Sequence, residues 1–187
     1  QSRTYQPNAK TKAAAHIQDY ETEYKKSIAD PEAFWSGVAK ELEWFTPWNK
    51  VLEWNYPFAK WFVGATCNIS YNCLDRHVKA GRKNKVAVIW VGENDQERVF
   101  TYGELYRQVN RCANALKALG LKKGDRVTIY LPKIPEQIIA MLACARIGAI
   151  HSIVFGGFSP DSLKNRVDDA ESRVIITADE SVRGGKN

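Results

Sequence analysis

The pattern of apolar and polar residues changes at about residue 85. Residues 1–35 are mostly polar and carry a helical pattern over 13–30 (AAAHIQDYETEYKKSIAD), whereas residues 34–80 are dense in aromatic residues without a clean period. Asp30-Pro31 predicts a turn or the start of a new helix, because Pro fits the first helical turn. We therefore expect a helical, aromatic-rich layer over 1–84, built of short helices and loops.

From Lys85 onward, short apolar and β-branched segments predict strands, because such runs are typical of buried strands in a sheet. The segments are KVAVIWVG, RVFTY, RVTIYL, IHSIVF and RVIITAD. Three helices are expected between them, because each intervening segment has helix start or stop residues. These are the capping box of Thr101 and Glu104 with Gly120 at the end, Pro135 with Gly148, and Ser159 followed by Pro160.

This alternation predicts an α/β fold over residues 85–187, with a mainly parallel sheet and helices on its faces.

The chain of 187 residues is 44% hydrophobic and has a net charge of +6. Excess basic charge attracts anions such as nucleotides, although it also fits a lysine-rich surface. Nucleic-acid binding is disfavoured because no recognition motif occurs. No apolar run is long enough to span a bilayer, and the first residues lack the apolar core of a signal peptide.

Four cysteines, Cys67, Cys73, Cys112 and Cys144, are expected to be buried free thiols of a cytoplasmic protein. The spacing of Cys67 and Cys73 leaves a disulfide as the alternative. His77 and His151 have no evident Ser, Cys or metal-ligand partner, so we expect each to be a packed or surface histidine.

Two glycine-bearing loops follow predicted strands, at the edge where open α/β sheets bind ligands. In VFGGFSPDS, Phe155, Gly156 and Gly157 allow close approach to the backbone, since glycine has no Cβ. This loop can equally be a tight strand-to-helix turn. The second loop, DESVRGGKN, sets two cations around two glycines: Arg183, Gly184, Gly185 and Lys186. These cations suit a phosphate, and the alternative is a flexible basic tail.

The segment TYGELYRQVNRCANALKALGLKKGDRVTIYLP resembles the acyl-adenylate-forming superfamily. Three further stretches resemble the acetyl-CoA synthetase (AMP-forming) family within it: NISYNCLDRHV, IGAIHSIVFGGFSPDSLKNRVDDAESRVIITAD and RGGK. The aromatic residues near Phe34 and the turn from Trp61 to Gly64 agree with that family's N-terminal region. The resemblance runs from about Asp19 to the end of the chain and implies the first part of that family's large domain.

The resemblance implies that the parent enzyme converts acetate, ATP and CoA to acetyl-CoA, AMP and pyrophosphate through acetyl-adenylate, with Mg²⁺. Its RGG-basic loop contacts the phosphorylated nucleotide end of CoA, which makes Arg183, Gly184, Gly185 and Lys186 expected CoA contacts. The family's FGG loop lies beside the RGG loop, so Phe155, Gly156 and Gly157 are expected to contact CoA as well. Many family members have Arg at the position of Lys186; Lys keeps the charge but loses bidentate geometry.

The Ser/Thr- and Gly-rich ATP-phosphate loop, the acetate pocket and the C-terminal catalytic lysine of the family do not occur in residues 1–187. We therefore expect the 187-residue chain alone to be inactive, with its ATP and Mg²⁺ sites outside it. Propionyl-CoA synthetase is the nearest alternative, and a non-enzymatic CoA-binding or protein-interaction module is another. The sequence leaves homo-oligomer formation open.

Overall fold

A computed structural model describes residues 3–182, which form a mixed α/β structure. The chain divides into two compact units, Gln1–Thr66 and Cys67–Asn187. The domain boundary expected at 84/85 marks the change of sequence pattern and stays a prediction. The predicted order, with helices first and alternating strands and helices after them, is confirmed.

The first unit contains three short helices and a hairpin. The helices are α1 (Ala9–Ala14), α2 (Tyr20–Ala29) and α3 (Pro31–Ala39), and the antiparallel strands are β1 (Lys50–Asn55) and β2 (Phe58–Val63). The single helix predicted over 13–30 is wrong. The Asp19 carboxylate caps a new helix by accepting a hydrogen bond from Thr22 N, and residues 15–19 are not helical. As expected, Asp30 and Pro31 begin the next helix.

The β1–β2 hairpin was not predicted. Aromatic residues stand at neighbouring positions on both of its faces, so the chain shows no alternation of apolar and polar residues. Trp54, Tyr56 and Phe58 are 67%, 82% and 73% exposed near its turn. A half-buried strand is recognised by alternating apolar and polar residues, and this hairpin lacks that alternation because its aromatic residues are also exposed.

The second unit begins with two π-helical turns, Tyr71–Asp75 and Val78–Arg82, the second of which bends at Gly81. The elements that follow are β3 (Val86–Val91), β4 (Glu97–Thr101), α4 (Tyr102–Ala118), β5 (Arg126–Tyr130), α5 (Pro135–Ile147), β6 (Ile150–Ile153), α6 (Pro160–Ala170) and β7 (Val174–Thr177). The predicted capping box of Thr101 and Glu104 is present, and Gly148 ends α5 in the left-handed conformation.

β3 and β4 form a separate antiparallel hairpin. The prediction that β3 is buried is wrong in part, because Ile89 and Val91 are 65% and 58% exposed. The apolar residues of β3 lie in two different environments. The hairpin face with Val88 and Phe100 packs against the core, whereas Ile89 and its partner Val99 face outward.

The predicted parallel sheet is present, with strand order β6-β5-β7. Val127 and Ile129 of β5 are 0% exposed and belong to the core formed with α4 and α5. Thr128 points to the other face, where its hydroxyl is 2.7 Å from Ser172 Oγ, just after α6. The helices therefore cover opposite faces, as the right-handed rule requires when the chain crosses from β6 over β5 to β7.

The start of this unit is fastened to the C-terminal end of α5. Asp75 receives two hydrogen bonds from Arg146, at 3.1 and 2.5 Å, and the two side chains are only 13% and 19% exposed. Asn68 Nδ2 donates to Ala145 O at 2.8 Å. Together these contacts hold the π-helical turns against the helix.

Asp75→Asn should lower the free energy of unfolding by about 3 kcal/mol, because it leaves the largely buried Arg146 charge without its partner. Urea unfolding followed by circular dichroism measures the change. The matched control is Asp168→Asn, which breaks an exposed i,i+4 pair with Lys164 and should cost less than about 0.5 kcal/mol. Equal effects of the two substitutions would contradict the assigned role.

All four cysteines are free thiols, so the Cys67–Cys73 disulfide does not form. The expectation that all four are buried is wrong for Cys67 and Cys73, which are exposed. Burial, with a smaller contribution from the neighbouring Cys112, raises the pKa of Cys144 to about 11. At pH 8 about one in a thousand Cys144 thiols is therefore ionised.

A thiol reagent at pH 8 should label Cys67 at least about a hundredfold faster than Cys144, because the thiolate is the reactive form and Cys144 is also shielded. Peptide mapping by mass spectrometry over time gives both rates. The Cys144 rate should keep rising with pH toward 11. Comparable rates at pH 8 would show that Cys144 is neither shielded nor shifted.

Candidate functional site

A cleft of about 750 Å³ lies beyond the carboxyl ends of the three parallel strands. Residues 131–134 after β5, 155–157 after β6 and 178–182 after β7 form three of its walls. Residues 90–94, at the end of β3 and in the hairpin turn, form the fourth. Ligands of open α/β sheets bind at this edge, so the topology makes the cleft the candidate site.

Tyr130, the last residue of β5, anchors the loop that follows β6 through its hydroxyl group. The Tyr130 hydroxyl lies 3.1 Å from Gly156 O and 3.2 Å from Phe158 O, so its one proton is shared between two carbonyls. The Phe155 and Phe158 rings meet edge to face at 5.9 Å. The Arg166 guanidinium from α6 lies 4.5 Å from the centre of the Phe158 ring. The loop is thus tied to both β5 and α6.

Gly156 has room for a Cβ atom in this loop. A Cβ built on it would come no closer than 3.5 Å to Leu131 O, an ordinary van der Waals distance. Its φ angle is not positive. The described protein therefore does not itself require glycine at position 156.

Trp90 joins the hairpin wall to the loop after β5. Its indole Nε1 donates to Lys133 O at 2.6 Å. A Cβ on Gly92 would lie 2.6 Å from the indole ring, so glycine is needed there for the ring to take this position. Sequence analysis missed Trp90, Gly92 and Lys133 as site residues. The Trp-x-Gly spacing at the end of a strand was the available signal, but a contact across 43 positions was not predictable from it.

The described lining is apolar with an excess of carboxylates. Lys133 is the one cation among the described lining residues, against Glu93, Asp179 and Glu180. An anion bound in this cleft would therefore need further positive charge. The predicted cations Arg183 and Lys186 come directly after the wall at 178–182.

The structure places Phe155, Gly156 and Gly157 in the cleft wall. Arg183, Gly184, Gly185 and Lys186 lie outside the described residues, so their role stays a prediction. The part of their loop that is described, 179–182, lines the same cleft as Phe155. As expected, the two glycine-bearing loops therefore start from one edge of the sheet.

Within residues 3–182, the candidate metal-ligating residues and histidines are not arranged into a further site. No cluster of three or more His, Cys, Asp or Glu in this range is arranged to hold a metal ion. His151 is half-buried, and burial lowers its pKa. No helix in the described range is long and apolar enough to cross a membrane.

Tyr130→Phe should accelerate hydrogen exchange of the Phe158 amide about fivefold, because losing the shared hydrogen bond costs about 1 kcal/mol of local stability. NMR-detected exchange measures this rate. Tyr106→Phe is the matched control, since the Tyr106 hydroxyl makes no hydrogen bond among the described residues. Unchanged exchange in Tyr130→Phe, or equal acceleration in the control, would count against the tether.

Comparisons with known proteins give one consistent result. Residues 20–73 match the model of the acetyl-coenzyme A synthetase N-terminus, and residues 74–186 match the AMP-binding enzyme model. Acetyl-coenzyme A synthetase of Gemmatimonas aurantiaca is 52% identical over 186 residues, covering 100% of this chain and 28% of the relative. Acetyl-coenzyme A synthetase of Leptospira biflexa and acetyl-coenzyme A synthetase 2 of Pseudomonas putida are each 54% identical over 177 residues, covering 93% of this chain and 27% of each relative.

The chain thus spans about 28% of the length of the curated relatives it matches. These matches confirm the resemblance inferred from the residues. The AMP-binding enzyme model covers more than half of the chain, and its match ends within the loop predicted to bind CoA. The chain belongs to the AMP-binding enzyme family.

Proposed function

We propose that this chain is the N-terminal portion of an AMP-forming acetate–CoA ligase and supplies one side of its CoA site. The whole enzyme would join acetate to ATP, releasing pyrophosphate, and then transfer the acetyl group from acetyl-adenylate to the CoA thiol, releasing AMP. One observation carries the proposal. Two family segments follow one another without a gap, and the second includes every described residue that lines the cleft.

The residues proposed to contact CoA are Phe155, Gly156, Gly157, Arg183, Gly184, Gly185 and Lys186. The cleft volume of about 750 Å³ suits a cofactor-sized ligand. Apolar lining residues suit the pantetheine arm, and the space above Gly156 admits a ligand close to the backbone. CoA carries phosphates at its nucleotide end, and Arg183 and Lys186 would add positive charge to a described wall in which carboxylates outnumber Lys133.

ATP is a proposed substrate and Mg²⁺ a proposed cofactor of the whole enzyme, and neither is assigned to a described residue. Adenylation by the 187-residue chain alone is not expected, because its sequence has no Ser/Thr- and Gly-rich ATP-phosphate loop. Acetate, ATP and CoA are the proposed small-molecule partners, and the cytoplasm is the proposed location.

A propionyl-CoA synthetase is the second candidate, because that family is similar over this region. A non-enzymatic CoA-binding module is the third. Acetate-dependent exchange of pyrophosphate into ATP by the full-length protein separates these hypotheses. Acetate should support faster exchange than propionate, and a binding module should support none.

In the full-length enzyme, Arg183→Gln combined with Lys186→Gln should raise the KM for CoA roughly tenfold or more, because two charge-assisted contacts are lost. The acetate-dependent ATP–pyrophosphate exchange should stay unchanged, because that half-reaction precedes CoA binding. Steady-state kinetics with varied CoA and the exchange assay provide the two measurements. Lys164→Gln, an exposed substitution on α6, is the matched control and should leave both values unchanged.

Two results would oppose the assignment. An unchanged KM for CoA would remove Arg183 and Lys186 from the CoA site. A lost exchange reaction with an unchanged fold would place them in the adenylation step instead.

A further inference from the structure

A second cavity, of about 490 Å³, lies at the opposite edge of the parallel sheet. It is formed by the C-terminal parts of α4 and α5 and by the loop that leads into β5. Its polar lining consists of Asn110, Asn114, Lys117, Lys122, Lys123 and Arg146. No carboxylate lines it within the described part of the chain. The cavity is therefore basic, in contrast to the cleft at the carboxyl edge.

The lysines that line this cavity are available to a ligand. Among residues 3–182, the ammonium groups of Lys117, Lys122 and Lys123 make no hydrogen bond and no ion pair. Arg146 differs, because its two Nη groups donate to Asp75, whereas its buried Nε makes no hydrogen bond within residues 3–182. Asp125, the carboxylate of the same loop, accepts hydrogen bonds from the backbone N–H of Lys122 at 2.7 Å and from the Arg173 side chain at 3.1 Å.

The loop that carries Lys122 and Lys123 is held in place by backbone hydrogen bonds. Leu121 N donates to Leu116 O at 3.2 Å, and Gly124 N donates to Gly148 O at 2.9 Å. The Lys123 stem lies over Gly148, where a Cβ would come within 2.9 Å of Lys123 Cγ. A ligand would thus meet a backbone that is already ordered, which reduces the entropic cost of binding.

The lysines are not needed to cap the helices whose ends they flank. Three of the last four carbonyls of α4 accept hydrogen bonds from the backbone N–H groups of Leu119, Gly120 and Leu121. Three of the last four carbonyls of α5 accept from Gly148 N, Ala149 N and the Asn68 side chain. Most of the carbonyl oxygens that a lysine at a helix C-terminus commonly serves are therefore occupied.

We propose that this cavity binds a small oxyanion of charge −2 or more, of the phosphate or phosphate-ester class. Lysine ammonium groups bind phosphate as mobile point charges, and the Asn110 and Asn114 carboxamides can donate further hydrogen bonds. The volume lies within the range of about 300–1,000 Å³ that is typical of small-molecule sites. The site is separate from the proposed CoA cleft, because the two lie at opposite ends of β5.

The test titrates inorganic pyrophosphate into the ¹⁵N-labelled 187-residue chain at constant ionic strength. Saturable shifts are expected at the amides of Lys117, 121–125 and Ile147. Lys117→Gln, Lys122→Gln and Lys123→Gln together should weaken this binding roughly tenfold or more, because charge-assisted contacts are removed. The matched control is Lys10→Gln, Lys12→Gln and Lys25→Gln, which removes the same charge from exposed positions and should leave the affinity unchanged.

The same spectra report whether each variant is folded. A titration of Arg183→Gln with Lys186→Gln separates the two sites, since the shifts at 121–125 should persist in it. The proposal is overturned if those amides show no saturable shift, or if both lysine triples weaken binding equally. It is also overturned if the shifts at 121–125 vanish when Arg183 and Lys186 are replaced. Replacing pyrophosphate by adenosine 5′-monophosphate distinguishes a phosphate-ester site from one that accepts only inorganic anions.

Discussion

The burial of β5 is the constraint on which the second unit depends. Val127, Thr128 and Ile129 are all 0% exposed, because β5 pairs with a strand on each edge and is covered on both faces. An apolar side chain suits the face toward α4 and α5, and Thr128 suits the other because Ser172 satisfies its hydroxyl. The loops that follow β5, β6 and β7 are positioned by β5, because the other two strands both pair with it. The two ends of β5 therefore define the two cavities.

The two ends differ in charge, which the net charge of +6 does not reveal. At the amino end, the described cavity lining contains cations and no carboxylate. At the carboxyl end, the described residues of the cleft wall include three carboxylates and one lysine. The proposed CoA site would thus depend on Arg183 and Lys186 for its affinity for phosphate. A basic composition alone would have suggested a uniformly anion-binding surface, whereas the fold separates the charges.

Much of the fold was predictable where the signal is local. The capping box at Thr101 and the left-handed glycine at position 148 act within one turn of a helix, and both occur as predicted. Position in the sheet was less predictable. The apolar run of β3 indicated a buried strand, yet its exposure depends on which partner covers each face. The position of 155–157 in the cleft wall was predictable because glycine follows a strand there, whereas Trp90 and Lys133 meet only through the tertiary fold.

The glycines at positions 148 and 156 show how the fold and the proposed site make different demands. Gly148 has a φ of 74° and lies against the Lys123 stem, so the chain's own conformation explains it. Neither reason applies to Gly156, where a Cβ would make only ordinary contact with Leu131 O. Glycine is the most costly residue to order, since it loses the most conformational freedom on folding. A ligand that approaches the backbone closely gives a reason for that cost, and this supports placing CoA against the loop rather than deeper in the cleft.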